Sequence, residues 1–185
     1  MKILLVGGGG REHALAWAIS RSPSVTSFYA APGNPGIAKH ATCVPIPADA
    51  LDDIVRFADR ERIDLTVVGP EVPLVAGLAD RLSAAGHLVF GVSAAAARLE
   101  GSKAFSKDLM ARHGVPTARF ATFRDAAAAR RYCRELGDAC VVKADGLAAG
   151  KGVYLPDTPN GCVEAGRALL AGSLGEAGRT VVLEE

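Results

Sequence analysis

The chain has 185 residues, and its 21 lysines and arginines nearly balance 20 aspartates and glutamates, which leaves a formal net charge of +1. This balance excludes a broad electrostatic footprint for nucleic acid or for an anionic membrane. Hydrophobic residues make up 49% of the chain, as in a folded globular protein. No apolar run approaches the ~18 residues of a membrane span, and no signal peptide is predicted, so we expect a cytoplasmic protein. The four cysteines contain no CxxC pair, which favours free thiols over a zinc or redox motif.

Residues 1 to about 101 predict a doubly wound α/β domain with a parallel sheet. Short apolar runs predict buried strands at residues 3–6, 27–31, 65–68 and 88–90. Between these runs, apolar residues recur at helical spacing. One example lies between residues 31 and 65, at Leu51, Ile54, Val55 and Ala58, and Asp49 is predicted as the N-cap of that helix. Alternation of strands and helices at this spacing predicts right-handed βαβ units.

After Gly101 the pattern changes, and residues 102–185 predict a separate, smaller α+β layer. Helices are predicted at residues 103–112, 129–136 and 162–170, and strands at residues 119–123, 140–142, 152–155 and 180–183. The sequence stops at Glu184 and Glu185, directly after the last predicted strand. We therefore interpret the 185 residues as part of a longer protein.

Four glycines, residues 7–10, lie between the first predicted strand and a helix. The backbone N–H groups of such a loop can face an anion, commonly a phosphate. The alternative is a tight turn that needs small residues. A dinucleotide fingerprint would require a small residue in place of Glu12 and an acidic residue near the end of the second strand, where residues 29–32 are Tyr-Ala-Ala-Pro. Both requirements fail, so a dinucleotide-dependent oxidoreductase is the least favoured interpretation.

A second glycine-rich segment, residues 143–152, is not a Walker A loop. Only three residues separate Gly146 from Gly150, and Gly152 stands where the metal-binding Ser or Thr would be. The segment nevertheless places small residues and a lysine in one loop. It is compatible either with a phosphate-binding loop or with a hairpin turn whose lysines are solvated.

Three lysines favour the phosphate-binding alternative. Lys143 lies at the end of an apolar strand, where its burial is costly unless an anion or a carboxylate pairs with it. Lys103 lies in the first turn of a predicted helix, where the helix dipole disfavours a cation by about 0.3–1 kcal/mol, so we expect an outside anion there. Together with Lys151, these residues predict a polyphosphate site.

A rigid loop after the predicted strand at residues 65–68 presents one carboxylate, Glu71. Ligands of doubly wound sheets bind beyond the carboxyl ends of the strands. Glu71 is therefore a candidate contact for a cationic or hydroxylated substrate group, or else an exposed acidic loop residue. The sequence contains no GxSxG or HExxH motif, and its four scattered histidines are interpreted as structural.

Taken together, these motifs resemble the phosphoribosylamine–glycine ligases (glycinamide ribonucleotide synthetases), a family of the ATP-grasp superfamily. Five segments stand in the same order as in that family, at residues 9–15, 31–34, 69–74, 99–103 and 142–153. The resemblance covers essentially the whole chain, as the N-terminal portion of a family member. It implies a substrate-side domain at residues 1–101, and at residues 102–185 the beginning of an ATP-grasp domain, with a flap at about residues 118–183.

The resemblance also implies a reaction and its binding residues. In the family, ATP phosphorylates the carboxylate of glycine, and the amine of 5-phosphoribosylamine attacks the acyl phosphate, giving glycinamide ribonucleotide, ADP and phosphate in purine biosynthesis. The residues that the resemblance assigns to ATP are Lys103, Lys143, Ala148, Ala149, Gly150, Lys151, Gly152, Glu184 and Glu185. Those that it assigns to 5-phosphoribosylamine are Gly9, Gly10, Arg11 and Glu71. Lys103 and Lys143 would contact phosphates, residues 148–152 would form a mobile loop over them, and Glu184 and Glu185 would begin the hinge beside adenine.

Gly8 and Val92 depart from the family, which often has Asn and Pro there, without disturbing the resemblance. The family's Mg²⁺ or Mn²⁺ ligands would lie beyond Glu185, so we predict no metal site in these residues and no ligation by the 185-residue chain alone. We expect a monomer that binds small-molecule substrates (ATP, glycine and 5-phosphoribosylamine), and neither nucleic acid nor membranes. One alternative is another ATP-grasp enzyme, such as a purine-pathway or biotin-dependent carboxylase, against which residues 9–14 argue. The other is a non-catalytic fragment that binds a nucleotide or a phosphate.

Overall fold

The computed structural model describes residues 1–137, 140–148 and 150–185, which form two compact units. The first unit spans Met1–Ala97 and the second Arg98–Glu185. None of the helices described in these ranges combines the length and the apolar character that a membrane-spanning segment needs.

The first unit is built on a five-stranded parallel sheet, which confirms the predicted fold class. Its strands are β1 (Lys2–Gly7), β2 (Ser27–Pro32), β3 (Thr42–Cys43), β4 (Leu65–Val68) and β5 (Val89–Phe90). Their order across the sheet is β3-β2-β1-β4-β5. In the central strand, Leu4, Leu5 and Val6 are fully buried. Burial on both faces explains why this strand is a continuous aliphatic run and does not alternate with polar residues.

Helices connect the strands of this sheet. They are α1 (Gly10–Ser20), α2 (Leu51–Glu61), α3 (Glu71–Val75) and α4 (Leu78–Ala84), and α5 (Ala94–Gly101) spans the boundary between the units. The predicted apolar face of α2 is buried at Ile54 and Ala58. The prediction of Asp49 as its N-cap is wrong, because the N-cap is Ala50 and no side chain caps the helix. The backbone carbonyl of Asp49, rather than its carboxylate, accepts a hydrogen bond from the Leu51 N–H.

The second unit contains a separate four-stranded antiparallel sheet, which confirms the predicted change of architecture. Its strands are β6 (Phe120–Phe123), β7 (Val141–Ala144), β8 (Val153–Tyr154) and β9 (Val181–Glu184). Their order is β6-β9-β7-β8, so the last strand in sequence lies between two earlier ones.

The two faces of this sheet have different chemistry. Its helices are α6 (Lys103–Arg112), α7 (Ala126–Leu136) and α8 (Pro159–Ala168). Residues of α7 and α8 pack on Val142, Val181 and Leu183 in an apolar core. Since successive strand residues point to opposite faces, Lys143 and Glu184 lie on the other face, which a side chain from α6 reaches.

The start of α8 differs from the prediction. It begins at Pro159, three residues before the predicted start, because Thr158 Oγ1 accepts the Gly161 N–H at 3.1 Å and proline suits the first helical position. The α-helix ends at Ala168, and a wider helical turn continues at Leu169–Ser173.

Candidate functional site

In the first unit, three loops meet at the edge of the sheet where β1, β2 and β4 end. The Gly33 N–H donates to the Gly7 carbonyl at 3.1 Å, and Asn34 Nδ2 donates to the Gly8 carbonyl at 2.8 Å. The Gly69 N–H donates to the end of β1 at 3.0 Å. This carboxyl edge is where ligands bind in doubly wound sheets. The four residues predicted to bind substrate lie on these loops or at the helix starts that follow them: Gly9, Gly10, Arg11 and Glu71.

The buried carboxylate of Glu12 explains why glycines stand at several positions of these loops. Its side chain is only 4% exposed, and Oε2 accepts the Gly9 N–H at 2.7 Å, which satisfies one of the unpaired groups at the start of α1. A Cβ added at Gly7 or at Gly69 would lie 2.5 Å from Glu12 Cγ, and one at Gly9 would lie 2.8 Å from Oε2. Packing against Glu12 therefore requires glycine at Gly7 and Gly69, and it constrains Gly9 less, because only the tip of the Glu12 side chain lies close to it. It does not require Gly10, where an added Cβ would meet nothing within 4 Å.

Arg11 and Glu71 carry opposite charges at this edge. Arg11 Nη1 donates to the Gly69 carbonyl at 3.3 Å, and Nη2 lies 4.0 Å from Glu71 Oε2. Because the arginine is exposed, this ion pair contributes no more than about 1 kcal/mol. Both groups can therefore turn to a ligand. A guanidinium beside the exposed residues Gly8 and Gly10 suits a phosphate, and the carboxylate suits an amine or a hydroxyl group.

In the second unit, one carboxylate holds two lysines. Lys143 Nζ lies 2.8 Å from Glu184 Oε2, and Lys107 Nζ lies 3.1 Å from the same oxygen. Lys143 pairs in register with Val182, so Glu184 is two residues along the neighbouring strand and on the same face. The structure thus supplies the carboxylate that the position of Lys143 requires. Sequence analysis missed Lys107, whose signal was its position one turn after Lys103 on the same helix.

Glu184 is deeply buried, and one of its two carboxylate oxygens accepts no hydrogen bond from the described residues. Burial by itself raises the pKa of its carboxyl group, but the hydrogen bonds and charges of Lys143 and Lys107 outweigh burial, so the pKa is lowered. The residue is 6% exposed, and its second oxygen, Oε1, is buried without a hydrogen-bond partner among the described residues. A buried acceptor without a partner costs about 1–3 kcal/mol. Oε1 is therefore an acceptor whose hydrogen bond the described residues do not supply.

Lys103 is held at the start of the glycine-rich loop. Its Nζ donates to the Gly146 carbonyl at 3.3 Å. The neighbouring Asp145, which sequence analysis did not single out, accepts the Ala104 N–H at 2.7 Å and the Ser102 hydroxyl at 2.9 Å. This carboxylate places an internal anion at the N-terminus of α6. This internal anion was not expected from the sequence, and the outside anion expected beside Lys103 stays a prediction.

The glycine-rich loop joins β7 to β8. The Lys151 N–H donates to the Ala148 carbonyl at 2.8 Å, and Gly150 adopts a φ of +79°, which favours glycine. Gly152 is buried, and an added Cβ there would lie 2.8 Å from the Ala148 side chain. The side chain of Lys151 is exposed. Ala149, which was also predicted to contact ATP, lies outside the described residues.

Glu185 points away from the lysines that bind Glu184. Its Oε1 lies 2.6 Å from Arg119 Nη2, and its N–H donates to the Arg119 carbonyl at 3.1 Å. Successive residues of an extended chain point to opposite sides, so the two neighbouring carboxylates do not present their side chains to one ligand. The structure brings Lys143 together with Glu184, and Lys103 together with the first residues of the loop.

Two family models match the chain from end to end. The model "Phosphoribosylglycinamide synthetase, N domain" matches residues 1–100, and "Phosphoribosylglycinamide synthetase, ATP-grasp (A) domain" matches residues 101–185. The phosphoribosylamine–glycine ligase of Rhizobium meliloti (strain 1021) is 54% identical over 184 residues, an alignment that covers 100% of this chain and 44% of the relative. The chain thus spans less than half the length of the curated relatives that it matches.

Solved structures show the same relationship. The crystal structure of phosphoribosylamine–glycine ligase from Thermotoga maritima has a TM-score of 0.79 at 29% identity and covers 100% of this chain and 44% of that one. A second similar structure is the biotin carboxylase domain of the Hydrogenobacter thermophilus 2-oxoglutarate carboxylase, in complex with MgADP and bicarbonate. Its TM-score is 0.78 at 20% identity, and the alignment covers 99% of this chain and 43% of that one. At this identity the likeness shows the fold alone. With both family models matched in order, the chain belongs to the phosphoribosylglycinamide synthetase family.

Proposed function

We propose that the chain supplies the substrate-side domain, residues 1–101, and the beginning of the ATP-grasp domain, residues 102–185, of a phosphoribosylamine–glycine ligase. The matched relatives are more than twice as long, so we assign ligation of glycine to 5-phosphoribosylamine to the whole protein. To the 185 residues we assign binding of ATP by the second unit and of 5-phosphoribosylamine by the first. The name shared by the relatives and the geometry of each unit support this proposal.

One observation carries the nucleotide assignment: Glu184 is buried, with one oxygen bound by two lysines and the other without a partner among the residues described. The exocyclic amino group of adenine is an N–H donor of the kind that Oε1 needs. A phosphate oxygen can take a hydrogen bond from Lys143, whose ammonium group is a compact point charge. The site therefore offers an acceptor for the base and a cation for the phosphates.

The remaining roles follow from charge and position. We assign Lys103 and Lys151 to phosphate oxygens, and the backbone of residues 148–152 to a cover over them. Phosphoryl transfer depends on positioning and on neutralising charge, which these groups supply. In the first unit, Arg11 and the amides near Gly10 would hold the phosphate of 5-phosphoribosylamine, and Glu71 would accept hydrogen bonds from its amine or hydroxyl groups.

The divalent metal of ATP-dependent ligation finds no fit in this part of the protein. In residues 1–137, 140–148 and 150–185, no group of three or more His, Cys, Asp and Glu side chains could hold a metal ion.

Calorimetric titration of the chain with ATP tests the nucleotide site. We expect K143M to bind ATP at least about tenfold more weakly than the wild type, since it loses one charge-assisted contact. K39M, which removes an exposed lysine in the first unit, is the matched control and should bind as the wild type does. Absence of ATP binding by the wild type, or equal binding by K143M, would contradict the assignment.

A coupled ADP-release assay with ATP, glycine, 5-phosphoribosylamine and Mg²⁺ tests where ligation resides. The complete Rhizobium meliloti enzyme serves as the positive control. We expect turnover by that enzyme and none by the 185-residue chain. Turnover by the chain alone would show that ligation needs nothing beyond these residues.

A further inference from the structure

We propose that Asp145 is a positioning residue that locks Lys103 and the start of the glycine-rich loop into one rigid group facing the phosphates of the nucleotide. The inference rests on the proposed binding of ATP by the second unit. It concerns a residue that is expected to act on phosphates through its neighbours and not by contact.

On one side, Asp145 binds the first turn of α6. Its backbone carbonyl accepts the Lys103 N–H at 3.2 Å, and its Oδ1 accepts the Ala104 N–H at 2.7 Å. The Ser102 hydroxyl donates to the same carboxylate, at 2.9 Å to Oδ1 and 3.2 Å to Oδ2. Ser102 and Asp145 are 43 positions apart in sequence, so these bonds join two distant segments.

On the other side, Asp145 is anchored at the beginning of the loop. Its N–H donates to the Thr180 carbonyl at 2.9 Å, and the next N–H, of Gly146, donates to the Ala177 carbonyl at 3.2 Å. Gly146 is packed so closely that an added Cβ would lie 2.9 Å from Ala177 Cα. The Gly146 carbonyl in turn accepts from Lys103 Nζ. The start of the loop and the Lys103 side chain are therefore held by the same residue, Gly146.

This arrangement decides which groups of α6 can meet a phosphate. The Ala104 N–H is occupied by Asp145, and the Phe105 N–H donates to the Ser102 hydroxyl at 3.1 Å. The helix N-terminus is thus already satisfied by a carboxylate and a hydroxyl group. Recognition of phosphates falls to Lys103, whose ammonium group is bound by a neutral carbonyl that a phosphate oxygen can replace. Holding Lys103 and the loop in place beforehand lowers the ordering cost of binding.

The test compares D145A and D145N with D125A. Asp125 caps α7 of the same unit in a similar way, with Oδ1 accepting the Ala128 N–H at 2.8 Å, which makes D125A a matched control. Calorimetry gives the affinity of each variant for ATP and for adenosine, which lacks phosphates. We expect D145A to bind ATP roughly tenfold more weakly, equivalent to about 1.4 kcal/mol, with unchanged binding of adenosine. D125A should change neither affinity.

Amide hydrogen exchange provides a readout that does not depend on the nucleotide. In D145A, amides of residues 102–106 and 145–148 should exchange faster than in the wild type, while D125A should leave them unchanged. D145N keeps the size of the side chain and an acceptor for the Ala104 N–H, so it should fold. We expect it to weaken ATP binding and to speed exchange less than D145A does. It replaces D145A in the test if D145A does not fold.

The outcomes separate this inference from the proposed function. If the wild type binds ATP and both Asp145 variants keep its ratio of ATP to adenosine affinity, the positioning role is overturned. If the amides of residues 102–106 and 145–148 exchange at wild-type rates in the Asp145 variants, the positioning role is overturned as well. If the wild type binds neither compound, the proposed function fails, and the exchange data still decide whether Asp145 joins the two segments.

Discussion

Replacing Glu184 by glutamine would leave two ammonium groups facing an uncharged amide. The Glu184 and Lys107 side chains are 8% and 12% exposed, and that of Lys143 is 25% exposed, so water can compensate little of the lost charge. Removing one partner of a buried ion pair typically costs about 3–5 kcal/mol. Because the glutamine oxygen still accepts a hydrogen bond and Lys143 is partly exposed, we expect a loss near the lower limit, about 3 kcal/mol.

Thermal unfolding of the second unit measures this loss. For a domain of about 60–100 residues, 1 kcal/mol shifts Tm by about 4–8 °C, so a loss of about 3 kcal/mol in E184Q should lower Tm by about 12–24 °C. The matched control is E185Q, at the neighbouring residue, whose exposed ion pair with Arg119 contributes at most about 1 kcal/mol.

The pH dependence gives the sign of the effect. The pKa of Glu184 is lowered in the folded protein, so its contribution is fully present above the ordinary glutamate pKa of about 4.3 and is lost as pH falls through the folded value. The difference in Tm between wild type and E184Q should therefore narrow as pH falls below about 4.3. A Tm of E184Q within about 2 °C of wild type at neutral pH, or a difference that does not narrow in acid, would refute the reasoning.

Two further predictions concern packing. G69A should destabilise the first unit by about 1–3 kcal/mol, because the new Cβ would lie 2.5 Å from Glu12 Cγ. G10A is the control: its new Cβ has no atom within 4 Å, so it should unfold in urea at or above the wild-type midpoint. Equal losses of stability in the two variants would contradict the packing argument. Burial raises the pKa of the Cys133 and Cys140 thiols, so a thiol reagent near neutral pH should modify Cys43 in the native protein and the buried cysteines only after unfolding. Rapid native modification of more than one thiol would contradict this.

Local sequence patterns were enough to predict the alternation of strands and helices in the first unit and the change of architecture in the second. The aliphatic run at residues 3–6 and the helical spacing in α2 depend on local preferences and on the period of each element, which a single segment contains. The cost of burying Lys143 next to an apolar strand also indicated that it needs an anionic partner. These signals use only neighbours in sequence, so they could be interpreted before any tertiary contact was known.

Which charged groups meet depends on contacts between segments that are distant in the sequence. Glu184 became the partner of Lys143 because β9 inserts between β6 and β7, and the register places the two side chains two residues apart on one face. Asp145 joined α6 in the same way, by a contact between segments 43 positions apart. A buried charge is stabilised by whichever opposite charge the fold brings within about 3 Å, and strand order and register, which arise from the assembly of the whole sheet, fix that choice.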